Sequence, residues 1–302
     1  MDAVRKLLES RFPGLHSRIE RLLVDSEASY NRGRGQPPSQ FLLEHTQHTA
    51  AIAHSLAARE RVDPLVPVLL ALFHDSGKFH DGEYHQDKVP EEEHAAVMAQ
   101  AMLAEHDVEK RHVDAVLQAL RALYDDRLPC DESCRIVQDA DRLDKLGALG
   151  VSAFFTKATL RGRGLLDALV HTASRELSYA LAAPFSMLTE SGRMFAARQS
   201  AKTVAFFDDL LLELEQCGIA AFDRRTLLVE GDFRTREGTR VASAQVAIVA
   251  PRACPQCDAA LALTHHCERG VKCEMLRARI ACAACDWARN ISFCLPVIAS
   301  RA

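Results

Sequence analysis

From Phe41 to Gln216 the chain places apolar residues at helical spacing almost without a break, and after Cys217-Gly218 that texture gives way to short β-prone segments. This switch constrains the fold more than any other feature. Residues Asp2 to about Ser26 also read as helix, interrupted at Pro13-Gly14. Asn31–Gln40, with Gly33, Gly35, Pro37, Pro38 and Ser39, reads as a loop. Helices are predicted over Phe41–Arg59, Asp63–Phe73, Pro90–His106, Val108–Tyr124 and Asp131–Gly147. A further helical pair ends in Ser200–Gln216, where Val204, Phe206, Phe207, Leu210, Leu211 and Leu214 share one broad face. Strands are predicted over Thr226–Glu230, Val241–Ala250, Ala260–Thr264, Ala278–Cys282 and Asn290–Cys294. The expectation is a mainly α domain over residues 1–216 and a small β-rich domain over 217–302, with the boundary near Gln216–Asp223.

The 302 residues are 48% hydrophobic and 26% charged, enough for one large core and a smaller one. A net charge of −4 does not mark the whole molecule as a binder of nucleic acid or membrane surfaces. The segment from Cys217 onward is mildly basic, with 12 Lys+Arg against 8 Asp+Glu. The longest apolar run, Val66–Phe73, contains Pro67 and is far short of the ~20 residues that span a bilayer. The amphipathic N-terminal stretch with Arg5, Lys6 and Glu9 lacks the features of a secretory signal. A cytoplasmic location is therefore expected, and in that compartment the ten cysteines read as thiols or metal ligands rather than disulfides.

The most informative local word is His74-Asp75 in FHDSGKF, at the end of the apolar helix. A polar pair there is costly unless it is used. A neutral imidazole and a carboxylate aimed inward suit a divalent transition metal. Gly77 is expected to let the chain leave the helix sharply. His45 lies 29 residues before His74 in EHTQHTAAIA, and Asp141 lies 66 residues after Asp75 in QDADRLDKLG. Spacing this long does not by itself establish proximity.

The order His, His-Asp, Asp on helices resembles the HD superfamily of metal-dependent phosphohydrolases. DADRLD followed by LGALGVSAFF, and a closing helix like Met194–Glu215, is similar to a bacterial branch of stand-alone HD hydrolases. The resemblance implies an HD-domain helical bundle with His45, His74, Asp75 and Asp141 as ligands of a divalent ion (Mn, Fe, Co, Ni or Zn). His48 and Asp139 are the substitutes for His45 and Asp141. Two carboxylates and two neutral imidazoles formally neutralise the ion and leave coordination positions open. Asp75 is then the candidate to position or deprotonate an attacking water. Lys78 and Arg142 are candidate phosphate-holding cations. Their alternatives are a solvated surface lysine and a structural ion pair with Asp139 or Asp144. Of the further histidines His80, His85 and His94, the last is the most family-like and is expected to face substrate or support the ligands. Leu123 occupies the position where the branch often carries another histidine, which favours one metal over two. The implied substrate is a small-molecule phosphate mono- or diester such as a nucleotide. The other readings are an HD-fold nucleotide sensor and, less favoured, a two-iron oxygenase.

Cys254-Pro-Gln-Cys257 and Cys282-Ala-Ala-Cys285 are two CxxC pairs separated by 24 residues, with β-prone segments between and after them, and resemble a zinc ribbon. Four thiolates suit a structural Zn that contributes much of the folding energy of so small a unit. His265, His266, Cys267 and Cys273 could replace one pair or hold a second ion. Cys130, Cys134, Cys217 and Cys294 read as buried or incidental. Arg234, Arg236, Arg240, Arg252, Arg277, Arg279 and Arg289, with Trp287, Phe233 and Phe293, leave two roles open: contact with nucleic acid or a partner protein, and a stability or dimerisation module.

Overall fold

An apolar nine-residue helix organises the first half of the chain. The computed structural model describes residues 2–82, 89–125, 128–234, 240–269 and 274–295. His85, Arg236 and Cys273 lie outside the described residues. The helices in order are α1 (Asp2–Arg11), α2 (Leu15–Gly33), α3 (Phe41–Glu60), α4 (Leu65–Phe73), α5 (Glu91–Glu105), α6 (Lys110–Ala122) and α7 (Glu132–Leu143). A single 3₁₀ turn, His80–Gly82, follows α4. Helix α4 is apolar all round, and Leu65 and Pro67–Phe73 are buried. Such a helix is stable only when surrounded. It packs against α1, α3, α5, α6 and α7, and each buried Leu contributes about 1.5–3 kcal/mol relative to exposure.

Helix α2 runs through Asn31 to Gly33, beyond the predicted loop start. Asn31 holds it there: its carbonyl accepts the Gln36 amide at 2.9 Å and its side-chain amide donates to Ser39 Oγ at 3.0 Å. Helix α3 lacks a side-chain cap of its own. Buried Glu27 substitutes by accepting the Leu42 amide at 2.9 Å.

The chain divides into two compact units, residues 1–144 with 188–192, and 145–187 with 193–302. The expected boundary at 216/217 therefore marks the change from helix to strand, while the packing boundary falls at 144/145. The second unit contains α8 (Gly147–Leu160), α9 (Leu165–Ala168), a π turn (Leu169–Ala173), α10 (Ser174–Ser186) and most of α11 (Glu190–Gln216). Its strands are β1 (Phe222–Arg234), β2 (Arg240–Pro251), β3 (Leu261–Arg269), β4 (Glu274–Cys282) and β5 (Ala288–Cys294), with β1-β2 and β3-β4-β5 forming two antiparallel sheets.

The run Val246–Ala250 of β2 is buried on both faces, which explains the grouping. Ala247 and Val249 join Phe154, Leu177, Phe207 and Leu211 in one core, while Val246, Ile248 and Ala250 join Leu276, Ile280, Trp287 and Ile291 in another. The amides of Ala247 and Val249 donate to Ser178 Oγ and Ser174 Oγ of α10, each at 2.9 Å, so helical hydroxyls close that edge of β2. Among the described residues no helix is long and apolar enough to cross a membrane.

Candidate metal centre

Because α4 is enclosed, the residues that follow it enter the interior, and His74, Asp75 and Ser76 are all buried. Ser76 Oγ donates to the Phe73 carbonyl at 2.8 Å and closes the end of the helix. Gly77 is required for a reason other than backbone freedom, since its φ is not positive. A Cβ there would lie 2.1 Å from the Glu91 carbonyl oxygen and 2.8 Å from the Ala95 nitrogen. The loop after the His-Asp pair therefore presses directly on the entry of α5.

Four side chains converge here from three places in the sequence. His45 Nε2 of α3 lies 3.5 Å from Asp75 Oδ2 and 3.3 Å from Asp141 Oδ1 of α7, and His74 Nε2 lies 3.6 Å from Asp75 Oδ1. Ligand atoms of His45, His74 and Asp141 fall within 4.8 Å of one another. His74 Nδ1 donates to the Ala71 carbonyl at 2.6 Å, leaving Nε2 buried without a hydrogen-bond partner. An orphaned imidazole nitrogen of this kind is costly unless a ligand is intended for it. Two donors about 2.1 Å from one ion lie about 3.0 Å apart at octahedral right angles and about 3.4 Å apart in a tetrahedron. The observed separations, with this imidazole and carboxylate donor set, fit a divalent metal.

The electrostatics of this donor set are uneven. Burial pulls the His45 pKa down, but the carboxylates of Asp141, Asp144 and Asp75 outweigh it and raise the value. For His74 burial prevails over Asp75 and lowers it. Burial alone would raise the Asp75 pKa, yet Lys78, His74 and His45 together hold it far below the usual carboxylate range.

The structure separates the remaining sequence expectations. Lys78 forms an ion pair with Asp75. His48 is partly exposed and has its Nδ1 3.3 Å from Asp144 Oδ1, so it flanks the cluster rather than replacing His45. Asp139 is fully buried and accepts the amides of Leu188 and Thr189 and the Thr189 hydroxyl at 2.7–3.0 Å. That role excludes it as a substitute for Asp141 and leaves no room at Gly192, where a Cβ would meet Asp139 Oδ2 at 2.4 Å. Burial raises the Asp139 pKa, against these donors and the charge of Arg142. The His94 ring stacks on His80 with centroids 3.8 Å apart, outside the ligand cluster. Leu123 is core. Its neighbour Tyr124 directs its hydroxyl to Asp141 Oδ2 at 3.4 Å. Sequence reasoning missed Tyr124, and named Asp144 only as an ion-pair partner; its Oδ2 lies 2.7 Å from His45 Nδ1. The i, i+3 spacing in DADRLD, which puts Asp144 on the face of Asp141, was the available signal.

In the second unit, Cys254, Cys257, Cys282 and Cys285 form a single cluster. The Cys254–Cys285 and Cys257–Cys282 sulfurs are 3.5 Å apart and the Cys257–Cys285 pair 3.6 Å. A tetrahedral ion with bonds of about 2.3 Å separates its sulfurs by about 3.8 Å, so the cluster is consistent with a zinc ribbon. The Ala284 amide donates to Cys282 Sγ at 3.3 Å and leads the causes that lower this thiol to about 7. Cys285 receives the Trp287 amide, yet desolvation and the three facing thiols push it up to about 12. His265 and His266 are exposed on β3, Cys267 is half-buried, and none of the three joins the cluster. Cys134 is buried, Cys130 half-buried and Cys217 exposed. Cys294 is exposed on β5 and is disulfide-bonded, which corrects the expectation that the cysteines are thiols or metal ligands rather than disulfides. Arg252 pairs with Glu215 and Asp223, Arg277 pairs with Glu268, and Arg289 lies over Trp287.

The class these features define is a helical domain that gathers His45, His74 and Asp141 into one ligand cluster with Asp75 beside it, followed by a cysteine-clustered β segment. Residues 42–146 match the family model of the HD domain. No curated protein matches the chain. Among solved structures it is similar to a predicted HD superfamily hydrolase from an uncultured Thermotogales bacterium, with 24% identity, a TM-score of 0.49, and coverage of 69% of this chain and 97% of that one. Bacillus subtilis YpgQ in complex with ADP shows 19% identity and a TM-score of 0.47, covering 66% of this chain and 96% of that one. An HD-superfamily hydrolase from Bacillus thuringiensis shows 20% identity and a TM-score of 0.47, covering 67% and 98%.

Proposed function

We propose that the chain is a metal-dependent phosphohydrolase that cleaves a phosphate mono- or diester, with a nucleotide or related small molecule as substrate. The observation that carries this reading is the buried, unpartnered His74 Nε2 facing the same point as His45, Asp75 and Asp141. These four residues would hold a divalent ion, which supplies Lewis acidity toward a phosphoryl oxygen and toward water. Asp75 stays ionised through the whole working pH range and can accept a proton from the attacking water with one carboxylate oxygen. Lys78, against that carboxylate, is placed to balance charge as anionic phosphate oxygens enter. His94, on its stack with His80, and Arg142 are the next candidates for contacts with substrate. In the second unit, Cys254, Cys257, Cys282 and Cys285 would hold a structural Zn.

The test is metal analysis combined with a screen of nucleotides and simple phosphate esters. Turnover is expected with added divalent metal, and a loss of about 10³-fold or more in His74→Ala and Asp75→Ala. Undiminished turnover in both variants would remove the active-site assignment. Metal and nucleotide binding without turnover would favour the sensor reading.

A further inference from the structure

We propose that Asp144 is the positioning residue of this centre, gripping His45 through Nδ1 so that Nε2 is presented to the ion; the proposal rests on the metal-centre reading above. Asp144 follows the last residue of α7 and is buried. Its Oδ2 lies 2.7 Å from His45 Nδ1, across 99 residues of sequence. A carboxylate only accepts, so the proton of a neutral His45 must sit on Nδ1. The lone pair is thereby left on Nε2, the nitrogen that faces Asp75 and Asp141 at 3.5 and 3.3 Å. His74 reaches the same tautomer by donating from Nδ1 to the Ala71 carbonyl. The two imidazoles are thus held by different means, one by a neutral helical carbonyl and the other by an ionised side chain that also strengthens its donor nitrogen.

Asp144 is not itself in the ligand cluster, which contains His45, His74 and Asp141. Its other oxygen lies 3.3 Å from Nδ1 of His48. On α3 and at the end of α7 the same spacing of three recurs: His45 with His48, Asp141 with Asp144. Each helix places a ligand one turn before a member of this supporting pair.

The experiment is Mn(II) titration of the full-length protein, followed by electron paramagnetic resonance of the free ion. Mn(II) is chosen because four thiolates hold it poorly, which keeps the cysteine cluster out of the readout. Asp144→Asn, which preserves shape but removes the charge, should weaken Mn(II) about 10–100-fold, and Asp144→Glu should recover part of the loss. If the wild type takes up Mn(II), His74→Ala abolishes uptake and folded Asp144→Asn binds within threefold of wild type, the positioning role is overturned while the metal centre stands. If His74→Ala binds as well as wild type, the metal-centre reading itself fails. A measurement independent of variant folding is the long-range ¹⁵N spectrum of the zinc-loaded wild type, where Nδ1-protonated His45 is expected. An Nε2-protonated His45 overturns the proposal.

Discussion

Replacing Gly77 by alanine adds one methyl group at the tightest point beside the metal centre. The new Cβ would lie 2.1 Å from the Glu91 carbonyl oxygen, 2.8 Å from the Ala95 nitrogen and 2.9 Å from His94 Cβ, where ordinary contact begins at 3.4 Å. Relief therefore needs a shift of roughly 1.3 Å against a closely packed interior. Two of the three obstacles are backbone atoms of α5, which cannot rotate away as a flexible side chain could. Overpacking generally costs about 1–3 kcal/mol, and the backbone obstruction puts this case at about 3 kcal/mol. At about 2–4 °C per kcal/mol for a unit of this size, the melting midpoint should fall by about 6–12 °C. Because Gly77 follows Asp75 by two residues, Mn(II) affinity should fall with it. Thermal denaturation by circular dichroism and metal titration read the two effects. Gly33→Ala is the control, since nothing lies within 4 Å of its Cβ position. It should be neutral or stabilising by a few tenths of a kcal/mol. A Gly77→Ala protein that melts within 2 °C of wild type (roughly half a kcal/mol) and binds Mn(II) normally would refute the close-packing argument.

Glu27→Ala removes the acceptor for the Leu42 amide at the start of α3 and for the Ser39 hydroxyl. It should cost about 3 kcal/mol in urea denaturation, Glu27→Gln about half of that, and a loss below about 0.5 kcal/mol would contradict the capping role. Metal uptake should release a proton, because the carboxylates of Asp141, Asp144 and Asp75 outweigh burial and raise the pKa of His45 above its ordinary value of 6.5. That proton's stabilisation of the metal-free state is full below 6.5 and fades as pH rises through the folded value. Metal affinity should therefore climb with pH by up to about tenfold per unit across this window, and a flat calorimetric profile from pH 6 to 8 would contradict it. Stripping the cysteine cluster with a strong chelator, or introducing Cys285→Ser, should unfold the β3-β4-β5 sheet, whose core includes Trp287 and half-buried Cys282 and Cys285. Unchanged Trp287 fluorescence after complete zinc removal would argue against a structural ion.

Much of this architecture was legible because its signals are local. The apolar run of α4 shows in the sequence as burial, and a His-Asp pair at its end shows as a polar group brought inside. The paired CxxC spacings announced their cluster in the same way. Other features depend on partners that sequence spacing does not reveal. Asp139 and Asp141 are two positions apart on one helix, yet one holds the amides of Leu188 and Thr189 and the other faces His45. Asp144 gains its role only from a histidine 99 residues away. Val246–Ala250 reads in the sequence simply as a strand, and only the folded chain shows that helices cover one of its faces.

Asp139 also bears on how the chain is made. Its amide donors belong to Leu188–Gly192, a short return of the backbone after residues 145–187 have been committed to the other unit. At about 5–20 residues per second of synthesis, that carboxylate waits roughly 2.5–10 s for its donors. Until they emerge Asp139 lacks these donors, and completion of the helical body is tied to elongation through the next unit. A single protease cut between 145 and 187 would likewise leave both fragments anchored, because each unit owns chain on either side of the cut.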